Sequence, residues 1–158
     1  LSSLISLAIG ATLGSWLNPA GRWNRFLVSR FVDILQGLPS FMIIAIIMQI
    51  LDSSNWLVLS FLMGIFHWPT VARLTQAQAF KTQTEPYVEA AHALGAKPFY
   101  VLRKHIWPAC YPMWLTWFCF HLPAEIMFES SLSFLGFGVQ PPQVSLGLLL
   151  QEAWQYLG

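Results

Sequence analysis

Four side chains that could do chemistry, His67, His121, Glu125 and Glu129, stand inside or at the edge of long apolar stretches. An ionisable group is expensive to keep in such surroundings and is a functional candidate by default. His67 and His121 could line a path for a polar solute or donate a hydrogen bond to a neighbouring helix, and the second, plainer role is favoured. Glu125 and Glu129 are four residues apart, which stacks them on one helix face near a membrane boundary. Like charges repel there, so the pair implies a wet vestibule or, for Glu129, contact with a partner subunit. Two solvated interfacial acids explain the pair equally well.

A metal site is not expected. His67, His92, His105 and His121 show no ligand spacing such as i, i+4, and the spans below put them at different depths. Asp33 follows Arg30 by three residues, so an intrahelical ion pair is favoured over a transport role. Cys110 and Cys119 are nine apart in one apolar run, facing opposite sides of a helix, and a disulfide between them is implausible. The five methionines, at 42, 48, 63, 113 and 127, read as lipid or packing residues. The sequence contains no Gly-x-x-x-x-Gly-Lys-Ser/Thr phosphate loop and no convincing nucleophile and base pair at a shared depth. It is read as a non-enzyme without a cofactor or metal of its own.

The elements that must carry these residues are membrane helices. Of the 158 residues, 56% are hydrophobic and only 9% charged, too little polar surface to coat a soluble domain, so lipid must cover much of the chain. A net charge of +1 without clustered excess gives no footprint for nucleic acid. The fold class is an all-α membrane protein, a polytopic helical bundle with four spans at about 1–17, 34–51, 56–72 and 109–128. The first ends at Asn18-Pro19-Ala20-Gly21 and carries Ser2, Ser6, Gly10 and Gly14 every four residues, a small-residue stripe where another helix can approach closely. Pro39 predicts a kink near one end of the second. A short turn, Asp52-Ser53-Ser54-Asn55, leads to the third; the segment 129–158 lacks a clean span. The chain opens at Leu1 inside an apolar run and reads as an internal piece of a longer polypeptide.

If the four runs cross, loops 18–33 and 73–108 share one side. They hold all eight basic residues: Arg22, Arg25, Arg30, Arg73, Lys81, Lys97, Arg103 and Lys104. The positive-inside rule makes that side the cytoplasm. Loop 73–108 is too long for a simple connection. Within it, Glu85-Pro86-Tyr87-Val88-Glu89-Ala90-Ala91-His92-Ala93-Leu94 reads as a short helix with Pro in its first turn, ended by Gly95. Lys97-Pro98 restarts a second, and Pro108 marks the return to the membrane. Periodicity alone leaves two roles open: a knob that enters a groove on another protein, or an interfacial helix pair on lipid headgroups.

Glu89-Ala90-Ala91, Gly95 and Ile106 with Pro108 resemble the signature loop of permease subunits of binding-protein-dependent ABC importers. The string Tyr87 to Ala96, together with Glu129-Ser130-Ser131-Leu132-Ser133-Phe134-Leu135-Gly136-Phe137-Gly138-Val139-Gln140-Pro141-Pro142, is similar to the dipeptide, oligopeptide and nickel branch. Trp107 and His105 depart from the general pattern without removing its Gly or Pro. The resemblance implies a docking loop for an ATPase subunit comprising Glu85, Tyr87, Glu89, Ala90, Ala91, Leu94, Gly95, Ile106 and Pro108. It also implies a translocation path, for which Pro39, His67, His121, Glu125 and Glu129 are the candidates. The implied partners are a second permease subunit, two ATP-binding subunits that carry ATP and Mg, an extracytoplasmic solute-binding protein and membrane lipid, in the inner membrane of a prokaryote. Such permeases have further segments before and after the part in hand. The alternative reading is a fragment of an ion-coupled secondary carrier or channel using the same His and acidic residues.

Overall fold

The computed structural model describes residues 1–16, 22–51, 55–139 and 143–157. These form helices α1 (Ser2–Trp16), α2 (Arg22–Gly37), α3 (Ser40–Ile50), α4 (Trp56–Gln83), α5 (Pro86–Ala93), α6 (Pro98–Val101), α7 (Trp107–Phe134) and α8 (Leu146–Leu157), with a π-helical turn at Leu102–Ile106 joining α6 to α7. The turn expected at 18–21 and residues 52–54 of the one expected at 52–55 lie outside the described residues, as do the side chains of Arg22 and Arg25.

Helix α1 lies on α4 along the small-residue stripe. A Cβ added to Gly10 would sit 2.5 Å from the Val71 Cβ and 2.7 Å from the Trp68 carbonyl oxygen, and one on Gly14 would sit 2.5 Å from the Ala72 carbonyl oxygen. Only hydrogen fits where the two backbones approach this closely. Gly64 on α4 returns the fit, because a Cβ there would meet Ile5 at 2.7 Å.

Helices α4 and α7 are the long members, 28 residues each, and both pass beyond the expected spans. Loop 73–108 is therefore helical over most of its length. Its first part continues α4 to Gln83, and its last part is one helical path from Pro98 through the π turn into α7. Pro108 falls in the first turn of α7 and does not interrupt it. A proline has no N–H to donate to the carbonyl four residues back, and the wider π turn just before it absorbs that loss.

The expected second span is broken. α2 and α3 meet at an angle of 75° across Leu38 and Pro39, because proline disfavours helical geometry in the residue before it and cannot continue the ladder. Among the described residues, only α4 is by itself long and apolar enough to cross a membrane; the bent α2/α3 pair makes a second if counted as one span. α1, at 15 residues, is short for a crossing, and the prolines, histidine and acids of α7 dilute its apolar character.

Three apolar clusters hold the described helices together, the smallest being Val32 of α2 with Trp68 and Ala72 of α4. At the α5 end, Val71 and Ala79 of α4, Val88 of α5, Val101, Leu102 and Ile106 pack with Cys110 and Trp114 of α7. The Trp114 indole donates to Thr75 Oγ1 at 2.8 Å inside this cluster. At the other end, Ile44, Ala45 and Met48 of α3 meet Leu59 and Met63 of α4, Leu132 of α7 and Val139. Asp33 accepts from Arg73, tying α2 to α4, and lies 3.4 Å from Arg30, so the expected intrahelical pair is joined by an interhelical one. Many large apolar side chains are left exposed: Phe120, Met127, Leu115 and Ile50 are each about two-thirds exposed or more, as suits side chains that face lipid or another subunit.

Candidate functional site

The sequence-derived candidates fall into two groups at different heights on the same pair of helices. The first is the loop between α4 and α6. Pro86 opens α5 in its first turn, and Glu89 sits where the N-terminal end of the helix dipole favours an acid. Gly95 adopts φ +82°; its N–H donates to the His92 carbonyl at 2.9 Å while the Ala96 N–H donates to the Ala91 carbonyl at 3.0 Å. This double closure ends α5 as the sequence predicts and needs a residue without strain at positive φ. A second copy of the motif, with Gly136 at φ +82°, ends α7.

One residue anchors the knob. Val88 is fully buried in the cluster at this end of the bundle, whereas Glu89, Ala90, His92, Ala93 and Gly95 are exposed and Leu94 is 89% exposed. Tyr87 is exposed and its ring lies 5.6 Å from that of His105; Glu85 and Ala91 are half-buried. Ile106, expected with the docking residues, is instead buried in the core, and Pro108 is exposed at the start of α7. Ile106 thus supports the loop from beneath: the π turn rotates it toward α4 and α5.

The second group sits midway along α4 and α7. The expectation that the histidines lie at different depths is corrected for two of them: the rings of His67 on α4 and His121 on α7 are 5.2 Å apart, edge to face. Glu125, one turn beyond His121, is buried between them, with Oε1 3.5 Å from His67 Nδ1 and 3.3 Å from His121 Nδ1. Its other oxygen, Oε2, accepts hydrogen bonds from Ser2 Oγ and, at 2.7 Å, from Ser3 Oγ of α1. The stripe that lets α1 close on α4 therefore also delivers two hydroxyls to a buried carboxylate. Trp117 stacks on His121 at 4.2 Å, and Phe128 meets His67 edge-on at 5.3 Å, so both imidazoles are held in place.

Glu125 and Glu129 do not form a repelling pair in open solvent. Glu125 turns to α1 and α4, while Glu129 accepts from Ser133 Oγ at 2.7 Å on its own helix. Both line a cavity of about 350 Å³ with Ser2, Ser3, Ser60 and Gln143. Pro39 stands apart at the α2/α3 break; two residues on, the Phe41 ring packs 5.3 Å from that of Phe128. Reading the sequence missed Ser3 altogether and missed the apposition of His67 with His121. A signal for part of it was present, since His121 and Glu125 are themselves spaced i, i+4 and must share a helix face.

A helical bundle with many exposed apolar side chains, a polar cluster at mid-helix and a small exposed knob at one end has the features of an integral membrane protein. The family described as binding-protein-dependent transport system inner membrane component matches residues 6–157, and the chain belongs to that family. It is 31% identical over 151 residues to the oligopeptide transport system permease protein OppC of Mycobacterium tuberculosis, covering 95% of this chain and 52% of that protein. Identity is 32% over 150 residues to OppC of Haemophilus influenzae, covering 95% and 48%, and 30% over 154 residues to the glutathione transport system permease protein GsiD of Pectobacterium atrosepticum, covering 96% and 50%. The chain spans about half the length of the curated relatives it matches.

Proposed function

We propose that this chain is part of a membrane-spanning subunit of an ATP-driven importer for peptides or a related small solute. In this reading the four apolar runs cross the inner membrane with loops 18–33 and 73–108 in the cytoplasm. A second permease subunit completes the path, two separate subunits bind ATP and Mg, and an extracytoplasmic binding protein delivers solute to the cavity lined by Glu125 and Glu129. The relatives named for oligopeptide and glutathione transport support the solute class.

The observation that carries the proposal is the knob at α5. Beside the exposed bases Lys97, Arg103 and Lys104, the residues Glu89, Ala90, Ala93 and Leu94 form a short exposed face of mostly small side chains, fixed from below by Val88 and closed by Gly95. Leu94 projects at the tip of this face, 89% exposed, where a groove on a partner would cover it. Closure of the ATPase dimer would push this knob, and α4 and α7 would carry the push to the path between them.

The test uses the full-length subunit in its assembled complex. Glu89→Lys, or replacement of Gly95 by Leu, should leave membrane insertion intact but uncouple ATP hydrolysis from uptake. Solute-stimulated ATPase activity equal to that of the parent in both variants would remove the docking assignment.

A further inference from the structure

The cluster of His67, His121 and Glu125 has the makings of a cation site, and we infer that it binds a divalent transition metal of the zinc class between α4 and α7. The inference rests on side-chain geometry alone and stands apart from the transport reading.

The donor set comes first. Two imidazoles and one carboxylate are a common zinc ligand triad, leaving a fourth position for water or another ligand. One donor atom from each of the three residues lies within 4.8 Å of the others. Two ligand atoms on a tetrahedral zinc, at bond lengths of about 2.0–2.1 Å, are about 3.4 Å apart. The two measured pairs, His121 Nδ1 to Glu125 Oε1 at 3.3 Å and His67 Nδ1 to Glu125 Oε1 at 3.5 Å, match that edge.

The atoms also point the right way for a shared ion. His121 Nδ1 is buried and, among the described residues, makes no hydrogen bond, although Glu125 Oε1 lies 3.3 Å away. A buried nitrogen in that state is costly, and coordination would satisfy it. Ser2 and Ser3 hold Oε2, fixing the carboxylate so that Oε1 faces the two rings. Trp117 and Phe128 fix the rings themselves. Ordering of ligands by such outer contacts is what separates a metal site from a chance meeting of donors. The cavity of about 350 Å³ is lined by one of the three ligands, Glu125, together with Ser2 and Ser3.

The experiment uses the full-length subunit in its purified complex, with an affinity tag free of histidine. After chelation and dialysis against zinc, metal content is measured by mass spectrometry. The parent should hold one zinc more than His67→Gln, His121→Gln or Glu125→Gln, whereas His105→Gln should retain it. Ser3→Ala should weaken zinc affinity by about tenfold or more, as loss of an outer-shell contact does. Cobalt loaded into the parent should show the intense visible bands of a four-coordinate ion. If a variant does not assemble, the parent spectrum decides by itself. No zinc retained by the parent, equal zinc in parent and all three ligand variants, or a cobalt spectrum like that of the hydrated ion would each overturn the site and leave a hydrogen-bonded His and Glu network only.

Discussion

Replacing Gly10 by alanine adds one methyl group where α1 meets α4, and the structure gives its consequence directly. The new Cβ would lie 2.5 Å from the Val71 Cβ, 2.7 Å from the Trp68 carbonyl oxygen and 2.9 Å from the Ala72 nitrogen, where ordinary contact begins near 3.4 Å. Two of these neighbours are backbone atoms of α4 and the third is the branching carbon of a stiff side chain, so none can rotate away. α1 itself must move outward. Overpacking of this kind costs about 1–3 kcal/mol, opposed only by the better helix propensity of alanine, about 1 kcal/mol. Gly37 supplies the control: it too is helical, and an added Cβ there meets nothing within 4 Å. Apparent melting temperatures of the two full-length variants in detergent should therefore diverge, Gly10→Ala falling by several degrees and Gly37→Ala staying at or slightly above the parent. The displacement should also weaken the grip of Ser2 and Ser3 on Glu125. Equal melting temperatures for the two variants would show that α1 does not close on α4 along this stripe.

Two further substitutions probe ties between helices. Trp114→Phe removes the indole donor to the buried Thr75 Oγ1 while keeping an aromatic ring; it should cost about 1–2 kcal/mol, read as a lower melting temperature, and Thr75→Val in the same background should cost little more. Asp33→Asn weakens the pairs with Arg73 and Arg30, whose side chains are 48% and 66% exposed; its effect should stay within about 1 kcal/mol and vanish when the melt is repeated in high salt.

How much of this was legible in the sequence follows from the range of the interactions. Gly95 ends α5 by contacts within six residues, the break at Pro39 is set by one ring, and the four-residue stripe on α1 needs only helical periodicity, so these local features could be read directly. The ends of α4 and α7 were harder. Arg73 and Pro108 look like boundaries of apolar runs, but a helix continues through polar residues as long as one face finds a core, and Thr75, Ala79 and Val88 supply it. The polar cluster was hardest, since His67 meets His121 only because α1, α4 and α7 take one relative register. The triad depends on residues from Ser2 to Glu125, a separation that no local pattern reports.

The same long-range packing puts Val88 in a position to separate docking from transmission. The exposed face of α5 carries the proposed partner contacts, but Val88 is what joins that face to the cluster made by α4 and α7. Val88→Ala would remove two methyl groups from a site with no exposure, about 2 kcal/mol of local anchoring, and would change nothing on the outer face. Because α5 is eight residues long and cannot hold itself as an isolated helix, that loss falls mainly on the knob. Amide exchange over 86–94 should rise by roughly an order of magnitude or more, while the middle of α4 and α7 stays protected. ATPase subunits should still co-purify, yet hydrolysis should drive less uptake, because a loosely seated knob yields to the push before the bundle does. Unchanged exchange over 86–94 would mean that α5 is held by something other than Val88, and the mechanical link proposed between the docking face and α4 with α7 would have to be drawn elsewhere.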